Sequence, residues 1–288
     1  MEPDKGRESP YAGQMSKQRT IPVALTIAGS DSGGGAGLQA DLKTFAALGV
    51  HGAAAVTCVT AQNPAGVRAI ESCRPALVRR QIEAVFDGLS PAAVKTGMLY
   101  SAEIIRAVAG FFRERRVLLV VDPVMVATSG ARLLKPGGIK TLIRELLPLA
   151  TLVTPNLDEA SALVGRRLRS AEDLRSAARE LHQRFGCATL VKGGHLRGMK
   201  QAVDFFYDGR TELMLTAPFI RGTKTHGTGC TYSAAVTAYL ARGFELPVAV
   251  AKAKEHVTQA IAQSQAAAGN AILNNFWHGN RGSSIVGG

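Results

Sequence analysis

Five short segments of this chain carry residue types that handle anions and protons, and most follow an apolar run of strand length. His226-Gly227-Thr228-Gly229-Cys230 opens an alanine-rich stretch of helical character. Free N–H groups at a helix start, assisted by the helix dipole, make an anion site that a phosphate in transfer suits. Cys230 falls in the first turn, where a thiolate is favoured, so it is a candidate reactive group. A small thiol packing the helix is the plain alternative. Lys192 stands before Gly193-Gly194, where it either neutralises phosphate or is simply solvated. Asn156 and Glu159 share a helix face near its start, where oxygen ligands could hold Mg²⁺ beside nucleotide phosphates. The same spacing is that of a capping box, and spacing alone favours the cap. Asp122 ends the apolar run 117–121, and a carboxylate there needs a partner or a ligand. Glycine-rich 29–37 lets the backbone come close to a ligand. Its match to G-x-G-x-x-G is loose, and no G-x-x-x-x-G-K-[ST] occurs. Asp41, in the helix that follows, either is solvated or reaches back to a polar ligand.

These segments need elements to hold them. Strands are expected over 23–28, 53–60, 92–95, 117–121, 151–154 and 188–192, and helices over 38–48, 75–86, 102–115, 138–147, 156–164, 171–185, 230–241 and 248–267. Residues 202–207 and 211–216 flank Asp208-Gly209-Arg210 as a hairpin. The fully apolar run 117–121 suits a strand buried on both faces of a parallel sheet. Strand, loop and helix recurring in this way imply an α/β fold, a three-layer doubly wound and mostly parallel sheet with helices on both faces. In such sheets ligands bind at the carboxyl ends of the strands. One domain is expected over 21–268, between a disordered N-terminal tail (1–20) and a C-terminal tail (269–288).

The composition is that of a globular protein: 288 residues, 46% apolar and 19% charged. The net charge of +12 raises nucleic acid, an anionic membrane or a small anionic substrate as partners. The basic residues are scattered (Arg79-Arg80, Arg113, Arg115-Arg116, Arg166-Arg167) rather than arranged as a stripe with stacking aromatics, which argues against nucleic acid. No run of about 18 apolar residues marks a membrane helix, and the polar first twenty residues are not a secretory signal. Cys58, Cys73, Cys187 and Cys230 show neither C-x-x-C spacing nor a His at metal-ligand spacing. Neither a disulfide framework nor a zinc site is expected, and a reducing cytoplasm is. His51, His182 and His256 lie outside the loops and are assigned no chemistry.

As a set, the loops resemble a known family. G-S-D-S-G-G-G-A-G-L-Q-A-D-L-K-T-F (29–45), T-A-Q-N (60–63), K-T-G-M-L (95–99), D-P-V-M (122–125), T-P-N-L-D-E-A (154–160), V-K-G-G-H (191–195) and H-G-T-G-C-T (226–231) occur in the order found in the hydroxymethylpyrimidine/phosphomethylpyrimidine kinases of thiamine biosynthesis, within the ribokinase-like superfamily. The resemblance implies ATP- and Mg²⁺-dependent phosphorylation of 4-amino-5-hydroxymethyl-2-methylpyrimidine, then of its monophosphate to the diphosphate. By the family pattern Cys230 is the general base, and Gly227, Thr228 and Gly229 form the anion hole. Gln62 matches the residue that hydrogen-bonds the aminopyrimidine, and Gly29, Ala36, Asp41 and Met98 match other members of that pocket. Asn156, Glu159 and Lys192 match residues serving metal and ATP phosphates, with Asp122 at the related acidic position near the metal. Ser32-Gly33 departs from the Pro-Ser of some members. A homodimer is implied. A sister kinase acting on pyridoxal or pyridoxine is the alternative substrate reading. A non-catalytic binding module is a third, opposed by intact Cys230, Lys192, Asn156 and Glu159.

Overall fold

The computed structural model describes residues 20–127, 130–194, 196, 200–220 and 226–277. In chain order its elements are β1 (Val23–Asp31), α1 (Gly37–Ala47), β2 (His51–Asn63), β3 (Gly66–Ser72), α2 (Pro75–Leu89), β4 (Ala93–Thr96), α3 (Ala102–Phe112), β5 (Leu118–Val121), α4 (Gly138–Thr141), β6 (Leu152–Val153), α5 (Leu157–Val164), α6 (Ala171–Phe185), β7 (Ala188–Lys192), β8 (Gln201–Tyr207), β9 (Glu212–Pro218), α7 (Thr228–Ala241), α8 (Leu246–Ala262), β10 (Gln265–Ala267) and β11 (Asn270–Ile272).

The main sheet runs β3-β2-β1-β4-β5-β6-β7-β8-β9. The strands from β2 to β7 pair in parallel, while β3 at one edge and the β8–β9 hairpin at the other are antiparallel. One face carries the core built from α2, α3, α5 and α6, with Val78, Ile105, Phe111, Leu174 and Leu181 buried in it. The other carries α1, α7 and α8, with Phe45, Val236, Tyr239 and Val250. The expected doubly wound, mostly parallel architecture is the one observed.

Local sequence explains the elements. In α6, Leu174, Ala177, Ala178, Leu181 and Phe185 recur on one buried face. Ser170 and Asp173 close a capping box at its start, and Gly186, with φ 71°, ends it in the left-handed region. Replacing fully buried Leu174 by Ala should cost about 2–5 kcal/mol through the cavity it leaves. Helix α7 is buried on all sides from Thr231 to Ala241, which accounts for its small residues. It packs against α1 and α8 and reaches β4 and β5, so its N-terminus sits at the carboxyl ends of the central strands.

Three expectations are corrected. Strand β3 was not anticipated: its half-exposed edge position needs no apolar run. The helix expected over 138–147 is helical only to Thr141, then loosens into a π turn (Leu142–Leu146) and a 3₁₀ turn (Leu147–Leu149). The helix expected to run to 267 stops at Ala262. Residues 265–267 instead pair with 270–272 across Ala268 and Gly269, whose φ values of 48° and 77° make a tight hairpin turn. Further on, Trp277 is buried, and its indole N–H donates to His256 Nδ1 at 3.3 Å. The N-terminal tail, apart from Thr20, lies outside the described residues, as do His195 and residues 128–129 of the loop after β5.

Candidate active site

The loops after β1, β4, β5, β6 and β7 and the start of α7 meet at one end of the sheet. Gly227 makes that meeting possible. Its φ is 85°, and a Cβ there would fall 1.7 Å from the Gly35 carbonyl oxygen, so only glycine lets the two loops touch. Among the described residues no side chain caps α7, and its first hydrogen bond to a described acceptor is Thr231 N–H to Gly227 O at 2.9 Å. A helix start is where backbone N–H groups lack an intrahelical acceptor, and those of Gly229 and Cys230 stand at that position.

Cys230 is half-buried at this point. Desolvation pushes its thiol up to about 11, against the pull of the Lys95 charge and the Gly37 N–H. This corrects the expectation drawn from the helix start: removal from water outweighs the dipole, so the resting group is a thiol.

On one side of Cys230 lies a cluster of charged groups. Lys192 Nζ donates to Asp122 Oδ1 at 3.0 Å. Asp122, almost fully buried, also accepts from Ser233 Oγ at 2.9 Å and Thr154 Oγ1 at 3.3 Å. Burial opposes the charge on Lys192, but Asp122 and Glu159 outweigh it and hold the ammonium above its usual value. A Cβ at Gly229 would lie 3.4 Å from Lys192 Nζ, which places that ammonium against the α7 amides. Asn156 and Glu159 form the capping box of α5: Asn156 Oδ1 accepts from the Asp158 and Glu159 amides, and Glu159 Oε2 accepts from Asn156 N–H at 2.9 Å. Glu159 nevertheless belongs to the same cluster, because burial, and then repulsion from Asp122, push its carboxyl up to about 7. The cap and a ligand role are therefore compatible. Among the described residues no group of three or more His, Cys, Asp or Glu is arranged to hold a metal. Two buried carboxylates are nonetheless a donor set that suits Mg²⁺, which takes one or two carboxylates and completes its shell with phosphate oxygens and water.

On the other side Gly29, Cys58 and Met98 pack together. Gly29 sits where a Cβ would come within 2.7 Å of Cys58 Sγ and 3.3 Å of Met98 Sδ, so Gly29 and Met98 share a wall with buried Cys58. Ser32 ties in Gln62, donating from Oγ to Gln62 O at 2.6 Å and accepting from Gln62 N–H at 2.8 Å. Ala36 closes the glycine-rich loop onto Asp31, which accepts from the amides of Gly33, Gly35 and Ala36 at 2.8, 3.1 and 2.8 Å.

Asp41 is placed differently from the expectation that it faces a ligand. It is fully buried, both its oxygens accept from Lys95 Nζ at 2.8 Å, and Thr26 Oγ1 donates to Oδ2 at 2.6 Å. Burial works against both charges, but Asp41 holds Lys95 protonated above its usual value, and Lys95 in turn acts on Cys230. Lys95 lies in the K-T-G-M-L motif, yet sequence gave it no role; a charged residue ending a short apolar strand was the available signal. Asp31 and His226 likewise lie within motifs whose residue types and spacing point to no role for them.

Fold and site together define a small-molecule kinase of ribokinase-like architecture, which takes its phosphoryl group from ATP. The family model described as phosphomethylpyrimidine kinase matches residues 31–274. The chain is 52% identical over 240 residues to the hydroxymethylpyrimidine/phosphomethylpyrimidine kinase of Rhizobium meliloti (strain 1021), covering 83% of this chain and 90% of that one. Its structure resembles phosphomethylpyrimidine kinase from Clostridium difficile 630 (42% identity, TM-score 0.74, 84% of this chain and 100% of that one). It also resembles the ADP complex of Bacillus subtilis pyridoxal kinase (39% identity, TM-score 0.81, 89% and 98%). The chain belongs to the phosphomethylpyrimidine kinase family. No helix among the described residues is long and apolar enough to cross a membrane.

Proposed function

We propose that this enzyme phosphorylates 4-amino-5-hydroxymethyl-2-methylpyrimidine and then its monophosphate, with Cys230 as the base. The observation that carries this reading is the convergence on the start of α7. The α7 start and the half-buried Cys230 thiol stand with the Lys192–Asp122 pair on one side and the packed Gly29, Cys58 and Met98 on the other.

Gln62, Gly29, Ala36 and Met98 receive the ring, while Asp41 serves the pocket by anchoring Lys95. Lys192, Asn156 and Thr228 meet the ATP phosphates. Asp122 and Glu159 would hold Mg²⁺, which supplies neutralisation of the phosphate charge. Cys230 acts in the fraction of molecules whose thiol has given its proton to solvent; as substrate enters, water leaves, and that thiolate takes the hydroxymethyl proton. The alcohol oxygen forms a bond to the γ-phosphorus as the bond to the bridging oxygen breaks, and ADP departs. The amides of Gly227, Thr228 and Gly229 face the oxygens on which charge spreads. In the second step a phosphate oxygen attacks and no proton need be removed. Four unpaired cysteines support a reducing cytoplasm, and a homodimer belongs to the same reading.

A second reading, phosphorylation of pyridoxal, is favoured by the likeness to the Bacillus subtilis pyridoxal kinase. Side-by-side assays of ADP release with the aminopyrimidine alcohol, its monophosphate and pyridoxal separate the two. Higher kcat/KM for both pyrimidines is expected; preference for pyridoxal, or inertness toward the monophosphate, would reject the first reading.

A further inference from the structure

The mechanism above leaves His226 unused, although it sits at the seam of the two loops. Its Nε2 lies 3.1 Å from Asp31 Oδ2 and 2.8 Å from the carboxamide nitrogen of Gln62. The ring packs against Gly35, where a Cβ would fall 2.9 Å from His226 Cδ2. An imidazole nitrogen carries either a proton or a lone pair, never both. A bare Nε2 would accept from the Gln62 amide while facing a carboxylate oxygen, lone pair against lone pair. A protonated Nε2 would donate to Asp31 and favour the oxygen end of Gln62.

Asp31 decides between these states. Burial opposes its charge, but His226 and the Ala36 and Gly33 amides hold its carboxyl below the usual range, so it remains an anion. An anion at 3.1 Å favours the proton on Nε2, and the carboxamide answers by a half-turn that exchanges its two ends.

We infer that Asp31 and His226 are positioning residues that fix the Gln62 carboxamide with its oxygen toward the imidazole and its NH₂ group into the pocket. There the NH₂ donates to a ring nitrogen of a heteroaromatic alcohol. The backbone of Gln62 is already held by Ser32, so the carboxamide orientation is the freedom left to set. The donor end selects rings that offer an unprotonated nitrogen at that point. The same contact ties the ring-reading residue to the residue that begins the phosphate loop.

This inference rests on the reading of Gln62 as the ring contact, and its test separates the two. KM for the aminopyrimidine alcohol and KM for ATP are measured for Gln62→Ala, His226→Ala, the double variant and His226→Gln, with thermal midpoints as folding controls. Gln62→Ala and His226→Ala should each raise KM for the alcohol about tenfold, the effect of one lost hydrogen bond, and the double variant should be no worse than either single one. KM for ATP should stay within about twofold, and His226→Gln, whose amide can still donate to Asp31, should recover most of the loss. If Gln62→Ala raises KM for the alcohol and His226→Ala does not, the orienting role fails and the pocket survives. Effects that multiply in the double variant, or an equal rise in KM for ATP, also overturn it. If Gln62→Ala has no effect, both readings fail.

Discussion

Two lysine–aspartate pairs act on Cys230, and they are built differently. Lys95–Asp41 has neither side chain exposed, and Thr26 supplies a third hydrogen bond. Lys192–Asp122 has its lysine 11% exposed, a second carboxylate (Glu159) beside it and Gly229 at the start of α7 against its ammonium. The sealed pair cannot exchange partners without unfolding its surroundings, so it acts as fixed charge behind the thiol. In the proposed function the open pair surrenders its lysine to an incoming phosphate, while Asp122 keeps the hydroxyls of Ser233 and Thr154. The same two residue types make scaffold in one place and machinery in the other, and burial decides which.

The largest expected contrast comes from removing each lysine. Lys95→Met strands a fully buried carboxylate, and urea unfolding should show a loss of about 3–5 kcal/mol. Lys192→Met should cost less stability than Lys95→Met, since Asp122 keeps the Ser233 and Thr154 hydroxyls, but it should lower kcat by about 10²-fold or more, because a charge placed to meet the transferring phosphate is gone. Equal stability losses in the two variants would break the distinction.

The pH profile sharpens it next. Fixed charge behind Cys230 does not offset desolvation, and the thiol stands at about 11. The base must be a thiolate, so rising pH increases the competent fraction. Log kcat/KM for the alcohol should therefore climb by about one unit per pH unit between pH 7 and 9. Cys230→Asp should flatten that climb. A flat profile in the parent would mean that the thiol is not the base.

The smallest effects come from the matched hydroxyls. Thr26→Val removes a donor to Asp41 and should cost about 1–2 kcal/mol in unfolding with kcat unchanged. Ser233→Ala removes a donor to Asp122 and should lower kcat several-fold, about 1 kcal/mol, with little change in stability. Steady-state rates and urea midpoints on the two proteins, measured together, decide this.

How far sequence reached follows the same division. Helix 171–185 and strand 188–192 were legible to the residue, because periodicity and caps are local. The Asn156–Glu159 cap was legible too, as spacing within one helix turn. What joins distant segments was not: Lys95 meets Asp41 across 54 residues and His226 meets Asp31 across 195. No periodicity records such meetings, so the role of Lys95 and the sealing of Asp41 had to wait for the fold. The C-terminal hairpin was hidden by alanines that suit a helix until Ala268-Gly269 turns the chain. The thiol was misread because its helix position is visible in sequence and its desolvation is not.

The central claim is two successive transfers at one site with Cys230 needed for the first. Phosphorus NMR of a reaction containing enzyme, ATP–Mg²⁺ and the aminopyrimidine alcohol follows it directly. The monophosphate signal should appear and give way to the diphosphate, while Cys230→Ala should stall on the alcohol yet still convert added monophosphate. A parent that never forms the diphosphate, or a Cys230→Ala variant that consumes the alcohol at the parent rate, would contradict the account.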